Sequence, residues 1–210
     1  MRYILASASP RRRELLKKII PDFEAVVSNV DETFDPNLSP AQNAVNTALK
    51  KARAAYNLVK NTSGGGVAVI AADTVVVLGN EVFGKPANRG EAFAMLKKLS
   101  GVWQEVITGT AVITDNVCRP LTANRRSSAE KTKEICFFRA SRVYIGAISD
   151  EMIYNYIDTG AAYDKAGGYG IQDGERFFDF KYEGNFDNIV GLPTEELREI
   201  LIRLKLIINN

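Results

Sequence analysis

Ser9-Pro10-Arg11-Arg12-Arg13 puts three guanidinium groups into what reads as the first turn of a helix. A helix N-terminus carries roughly half a positive charge, and a cation there costs about 0.3–1 kcal/mol. An anion bound at that point reverses the penalty, because free backbone N–H groups, the dipole and the guanidinium forks then act on one phosphate-like group. The competing reading sends the arginines into solvent with Glu14 compensating. Asp73 is the second anomaly, a carboxylate inside the apolar run Val67–Leu78, where burial is expensive unless the charge is paired or holds a metal. If the strand ends near Ala72, Asp73 stands at its carboxyl end, where open α/β sheets place their ligands, as a general base or metal ligand. The alternative makes it a turn residue between two hairpin strands. Lys85 follows a strand on the rigid turn Gly84-Lys85-Pro86, whereas Lys51 lies mid-helix, where a lysine is most often on a solvated face. The late stretch from Asp164 to Gln172 is rich in glycine. Its glycines permit close backbone approach to a ligand, and Gln172 offers a donor and an acceptor suited to a base edge.

Composition restricts the chemistry further. The 210 residues include no histidine, which excludes a Ser-His-Asp triad, a Cys-His pair, an imidazole zinc site and a histidine base. Acid–base work falls to Asp, Glu, Lys, Tyr or Cys, and a metal would be held mainly by carboxylates, which favours Mg²⁺ or Mn²⁺. Two cysteines, Cys118 and Cys136, make neither a disulfide framework nor a zinc cluster. With 46% hydrophobic and 25% charged residues the chain has the balance of a soluble globular protein. The first residues lack the long apolar core of a signal peptide, and no stretch reaches the roughly 20 apolar residues of a membrane span. A cytoplasmic location and no membrane partner are therefore expected. A net charge of +2 gives no general argument for nucleic-acid binding.

The elements that must position these residues follow from pattern. Tyr3–Ala6 reads as a strand, Ser9 as the cap of a helix reaching Ile20, and Phe23–Val27 as a second strand followed by Asp31 and Glu32. A long alanine-rich helix spans Ala41–Val59, then a glycine turn leads into Val67–Leu78, the strongest strand signal. A helix over Arg89–Leu99, an antiparallel pair of Val106–Thr114 with Ile135–Ile145, a short helix over Asp150–Ile157 and a closing helix over Pro193–Leu206 complete the pattern. The basic segment between the paired strands, through Arg119, Arg125, Arg126 and Lys133, reads as a solvated hairpin tip. Gly160–Gly174 is long for a connection and marks a functional loop. The sum is α/β, a mixed sheet flanked by helices.

In order, Leu5-Ala6-Ser7-Ala8-Ser9-Pro10-Arg11-Arg12-Arg13-Glu14-Leu15-Leu16, Lys51-Ala52, Ala72-Asp73-Thr74-Val75-Val76, Gly84-Lys85-Pro86, Leu99-Ser100-Gly101, Thr108-Gly109, Asp164-Lys165-Ala166-Gly167, Tyr169-Gly170-Ile171-Gln172 and Val190-Gly191-Leu192-Pro193 resemble the motifs of the Maf family of nucleoside triphosphate pyrophosphatases. The resemblance covers nearly the whole chain. It implies a single domain over residues 1–210, elongated and two-lobed around a central cleft, with a fold like that of inosine triphosphate pyrophosphatases. It implies hydrolysis of a nucleoside triphosphate to the monophosphate and pyrophosphate by a metal-dependent hydrolase that acts as a homodimer. Asp73 then corresponds to the proton acceptor, with Lys51 and Lys85 beside it. Ser7, Ser9, Arg11, Arg12, Thr74, Asp164, Lys165 and Gln172 correspond to substrate contacts, with Arg11, Thr74 and Gln172 at positions linked to base choice, and Glu32 with Asp73 to the ligands of Mg²⁺ or Mn²⁺. Arginine directly after the proline resembles the subgroup acting on dTTP and UTP; the 7-methyl-GTP subgroup carries tryptophan there. The chain departs from the family at Val102 and Gln104, where an arginine and a histidine are usual. Residues 115–132 match no motif. An ITP/XTP or 7-methyl-GTP pyrophosphatase, and a non-catalytic nucleotide- or nucleic-acid-binding regulator of cell division, are the alternative readings.

Overall fold

The computed structural model describes residues 1–62, 66–115 and 132–208. Seven strands form one mixed sheet in the order β2-β1-β3-β5-β6-β7, with β4 also paired to β3. The strands are β1 (Arg2–Leu5), β2 (Glu24–Ala25), β3 (Val67–Leu78), β4 (Glu81–Phe83), β5 (Trp103–Thr114), β6 (Lys133–Ile145) and β7 (Phe180–Glu183). The helices are α1 (Pro10–Lys17), α2 (Pro40–Val59), α3 (Arg89–Leu99), α4 (Asp150–Asp158), α5 (Ile171–Gly174), α6 (Phe186–Val190) and α7 (Thr194–Arg203). β1 runs parallel to β2 and β3, and every other pairing is antiparallel. The mixed sheet flanked by helices is the expected class. The basic hairpin tip, with Cys118, lies outside the described residues apart from Lys133, which opens β6.

Local chemistry explains the helix starts. Ser9 caps α1 by accepting from the Arg12 backbone N–H, and Pro10 takes the first helical position, where no N–H is needed. Ser39 and Gln42 cap α2 reciprocally, each side chain bonding the other's backbone. Alternation along β3 then sorts side chains between two layers. Val67, Val69 and Ala71 face α2, whose contacts there are Ala48, Ala52, Ala55 and Val59. Ala68, Ile70 and Ala72 face the opposite layer, with Leu15 and Leu16 of α1 and Leu197 and Leu201 of α7. Burying each such leucine contributes about 1.5–3 kcal/mol, so this layer supplies bulk while the alanines of α2 supply closeness. The far end of the sheet packs a third cluster, in which Val76, Val106 and Val143 meet Leu96 and Leu99 of α3 and Ile153, Tyr156 and Ile157 of α4.

One expectation is overturned here. β3 does not end near Ala72; it passes through Asp73 and Thr74 without a break to Leu78. Asp73 is therefore neither at a strand end nor in a turn. What changes at that point is the neighbour. β1 pairs with β3 as far as Leu5↔Ile70, with the Ala6 N–H donating to the Ile70 carbonyl at 2.8 Å. β4 takes over only at Val76↔Phe83. Between them one edge of β3 carries no strand, and a carboxylate sits there without entering a sealed core. The other strand edges shift modestly, since β2 is two residues long and α1 stops at Lys17 rather than Ile20.

Candidate active site

Asp73 and Thr74 occupy the open edge of β3 and, being consecutive in a strand, project to opposite faces. Asp73 shares its face with Ala71 and meets α2, where Lys51 Nζ donates to Asp73 Oδ1 at 2.8 Å and to Glu32 Oε2 at 2.8 Å. Mid-helix Lys51 is thus no solvated lysine; its side chain is 13% exposed. Its reach depends on Gly109, which pairs with Asp73 across the β3–β5 ladder. A Cβ at Gly109 would lie 2.4 Å from the Ala44 carbonyl carbon and 2.4 Å from the Val45 nitrogen. Only glycine lets α2 lie so close, and Lys51 follows Ala44 by about two turns on the same face.

Thr74 meets α1 on the other face. Arg12 Nη2 donates to Thr74 Oγ1 at 3.0 Å, Arg12 Nε to the Gly191 carbonyl at 2.9 Å, and Arg12 Nη1 to Ser7 Oγ at 3.4 Å. All three acceptors are neutral. Burial pushes the Arg12 guanidinium down from its ordinary value, with Asp73 countering and Arg11 reinforcing the shift. A half-buried cation with no carboxylate on it leaves an anion to be supplied from the cleft. Arg11 is held differently, donating to Asp164 Oδ2 at 3.1 Å and to the Asp164 carbonyl at 3.4 Å. Buried Lys165 stands behind this contact, bonded to Asp164 Oδ1 at 2.8 Å, the Ala161 carbonyl at 2.6 Å and Asp173 Oδ2 at 2.9 Å.

The cleft enclosed by these elements holds ≈ 800 Å³ of empty space open to solvent. Ser9, Arg11, Arg12, Lys51, Asp73, Thr74, Lys85, Asp164, Lys165 and Gln172 all line it, so ten of the sequence-derived candidates meet in one place. Lys85 is exposed and carries no hydrogen bond or ion pair among the described residues. Ser7 and Glu32 are not part of the wall: Ser7 Oγ accepts from Arg12 and from the Ser9 N–H, and Glu32 reaches the cleft only through Lys51. Val76, Val106, Tyr169, Ile171, Ile189 and Val190 form an apolar wall. Charged groups and apolar surface in one cleft suit a ligand with a polyanionic head and a ring.

Two participants, Asp173 and Asn188, carry no signal of their own in the sequence, and Gly191 is marked only as part of a motif. Asp173 pairs with Lys165, the Gly191 carbonyl orients Arg12, and Asn188 is buried with its Nδ2 donating to the Val106 carbonyl at 3.0 Å and to Ser141 Oγ at 2.9 Å. Gln104, at one of the departures from the family pattern, is buried away from the cleft. With its amide turned so that each atom meets a complementary partner, its oxygen accepts from the Tyr169 hydroxyl at 3.2 Å and its nitrogen donates to the carbonyls of Val102 at 2.7 Å and Val143 at 3.2 Å. Gln104 thereby holds a cleft-lining ring in place, a structural task that needs no imidazole. Among the described residues no helix is long and apolar enough to cross a membrane.

An α/β scaffold whose sheet opens at one strand edge onto a cation-lined, partly apolar cleft defines a protein built to receive a phosphorylated small molecule. The chain belongs to the Maf family: the family model described as Maf-like protein matches residues 2–204. A dTTP/UTP pyrophosphatase of Caldicellulosiruptor saccharolyticus is 42% identical over 96% of this chain and 94% of its own. Those of Alkaliphilus oremlandii and Thermoanaerobacter sp. strain X514 are 43% identical over 94% of this chain (93% of the relative) and 39% identical over 97% (96% of the relative). A solved nucleoside-triphosphatase / dITP/XTP pyrophosphatase from Mycobacterium abscessus covers 70% of this chain and 74% of its own at a TM-score of 0.36 and 16% identity, too loose a likeness to carry an argument.

Proposed function

We propose that this chain hydrolyses nucleoside triphosphates, dTTP and UTP foremost, to the monophosphate and pyrophosphate. The observation that carries the reading is the half-buried Arg12, a cation with neutral acceptors only, facing the cleft beside the Lys51–Asp73 pair. The pyrimidine preference is supported by Arg11 after Pro10 and by the relatives' activities. Arg11, Arg12, Lys51 and Lys85 bind the triphosphate and offset charge on departing pyrophosphate. Asp73 takes the proton of the attacking water, and Lys51 fixes the orientation of its carboxylate. Such reactions depend mainly on positioning and electrostatics, which side chains of this kind supply without a histidine.

The donor set also fits a divalent ion. Glu32 and Asp73 converge on one positive charge, Lys51 Nζ, at 2.8 Å each. Among the described residues no three acidic, cysteine or histidine side chains group around a metal position, so phosphate oxygens and water would complete the shell, as Mg²⁺ or Mn²⁺ accepts. When bound, the ion offsets phosphate charge and polarises the α-phosphorus. A single domain with two lobes around this cleft, a homodimer and a cytoplasmic location belong to the same reading and rest on the family resemblance.

Pyrophosphate release from dTTP, UTP, CTP, ITP and 7-methyl-GTP with Mg²⁺ or Mn²⁺ tests the proposal. Fastest turnover of dTTP and UTP is expected. Preference for ITP or 7-methyl-GTP overturns the pyrimidine assignment and keeps the chemistry. No release from any of the five overturns the enzyme reading, and a steep salt dependence of DNA or RNA binding would then mark a regulator.

A further inference from the structure

Thr74 and Thr108 belong to a chain of hydrogen bonds whose direction is fixed by its last member. Thr108 pairs with Thr74 across the β3–β5 ladder and is fully buried. Its Oγ1 lies 2.9 Å from the Asn188 carbonyl oxygen, a group that only accepts, so the single Thr108 proton is committed there. The same Oγ1 lies 3.0 Å from Thr74 Oγ1. With its own proton used, Thr108 accepts from Thr74. Thr74 in turn accepts from Arg12 Nη2, which only donates. Protons therefore run one way, from Arg12 to Thr74 to Thr108 to Asn188. Thr74 lines the cleft with its proton spent and one lone pair left.

We infer that Thr108 is a positioning residue for specificity: by holding the Thr74 hydroxyl as an acceptor, it makes the cleft select a ligand that presents a donor there, the imide N–H of a uracil or thymine ring. The inference rests on the reading of the cleft as a nucleoside triphosphate site. Cytosine offers an unprotonated ring nitrogen where uracil offers N–H. To donate to it, Thr74 must abandon Thr108, and Thr108 must then either lose a buried bond or turn its proton away from the Asn188 carbonyl. That carbonyl also receives the Gly191 N–H at 3.1 Å, so the turn joining α6 to the Arg12 contact is disturbed as well. Breaking one buried hydrogen bond of this kind corresponds to roughly 5- to 100-fold in affinity.

The test is calorimetric binding of α,β-methylene-UTP and α,β-methylene-CTP, neither of which can release pyrophosphate. The unsubstituted protein should prefer the uridine analogue by about tenfold or more. Thr108→Val keeps the shape and removes the chain, and should shrink that ratio at least threefold; Thr108→Ser should restore it. Because Thr108 acts through Thr74, Thr108→Val should add nothing to the ratio in a Thr74→Val background; if Thr108→Val folds poorly, Thr74→Val alone, which leaves the buried Thr108 in place, should shrink the ratio by the same factor, and a full ratio there overturns the inference. A full ratio in Thr108→Val, an additive effect in the double variant, or equal binding of both analogues by the unsubstituted protein overturns the inference. Turnover is read separately, so a protein that discriminates the analogues yet releases no pyrophosphate refutes the hydrolase and leaves the role of Thr108 standing.

Discussion

Replacing Gly109 by alanine tests how the two layers of the site are brought together. The added Cβ would stand 2.4 Å from backbone atoms of Ala44 and Val45 and 2.6 Å from the Ala44 carbonyl oxygen. Carbon contacts settle near 3.5–4.0 Å, and a helix backbone has no rotamer to yield, so α2 must retreat by roughly 1 Å at that turn. Lys51 rides on the same helix, and its bonds to Asp73 and Glu32 are 2.8 Å long. A retreat of most of an ångström takes them past the roughly 3.2 Å limit of a good N–H···O bond. Overpacking of this kind costs about 1–3 kcal/mol, which at this chain length lowers Tm by several degrees. A misplacement of about 1 Å in a catalytic group costs on the order of 10²-fold in rate. Scanning calorimetry and kcat/KM for pyrophosphate release read both effects. Gly90→Ala is the control: its Cβ meets only Asn88 Oδ1, at an ordinary 3.5 Å, within α3, so Tm should hold or rise. Wild-type Tm and full kcat/KM in Gly109→Ala would refute the account of how Lys51 reaches Asp73.

Three further outcomes are expected. Asp73→Asn should keep its fold, since Lys51 retains Glu32, and lose at least about 100-fold in pyrophosphate release; activity near wild type removes Asp73 from the role of base. Arg11→Lys keeps the charge but not the fork that grips Asp164 through two nitrogens, and should reorder the substrate panel; an unchanged ranking removes Arg11 from base choice. Partial burial pushes the Asp164 carboxyl up, but the Lys165 hydrogen bond and the Arg11 and Lys165 charges outweigh it and hold it below its ordinary value. A depressed folded value means stability present above the unfolded value, about pH 4, and lost as pH falls through the folded one. The Tm gap between wild type and Asp164→Asn should therefore be level from pH 5 to 7 and close below about pH 4; a gap that widens in acid contradicts the sign.

Much of the scaffold is legible in the sequence because its signals are local. Ser9 with Pro10 announces a helix start, and the apolar run from Val67 to Leu78 announces a strand. The site residues are legible as types in unusual places: arginines in a first turn, a carboxylate in an apolar run. What the pattern misplaces is Asp73, because a charge in a strand reads as an interruption when the backbone alone is considered. The ladder continues on the β5 side regardless, and the exchange of β1 for β4 on the other side is a matter of topology. Arg12 and Gly191 are 179 residues apart, and Thr108 and Asn188 are 80 apart, so no local window contains either contact. β7 and α6 escape notice for a simpler reason, since four and five residues are too few for a period to register.

The ladder between β3 and β5 runs without a gap from Ala68↔Thr114 to Val77↔Glu105, passing directly beneath the cleft. Mechanically this is a continuous beam. A hinge that swings two bodies about a flexible joint would have to tear backbone bonds in mid-sheet, so the two ends of the sheet cannot close on a ligand like jaws. Two segments lie over the beam and meet the arginines of α1: the one from Gly160 to Gly174, through Arg11 to Asp164, and the turn at Gly191, through Arg12. Both contacts end on arginines that face the cleft. An arriving anion therefore meets the same two cations that hold these segments against the floor, so the charges that assemble the site are the ones that face its ligand.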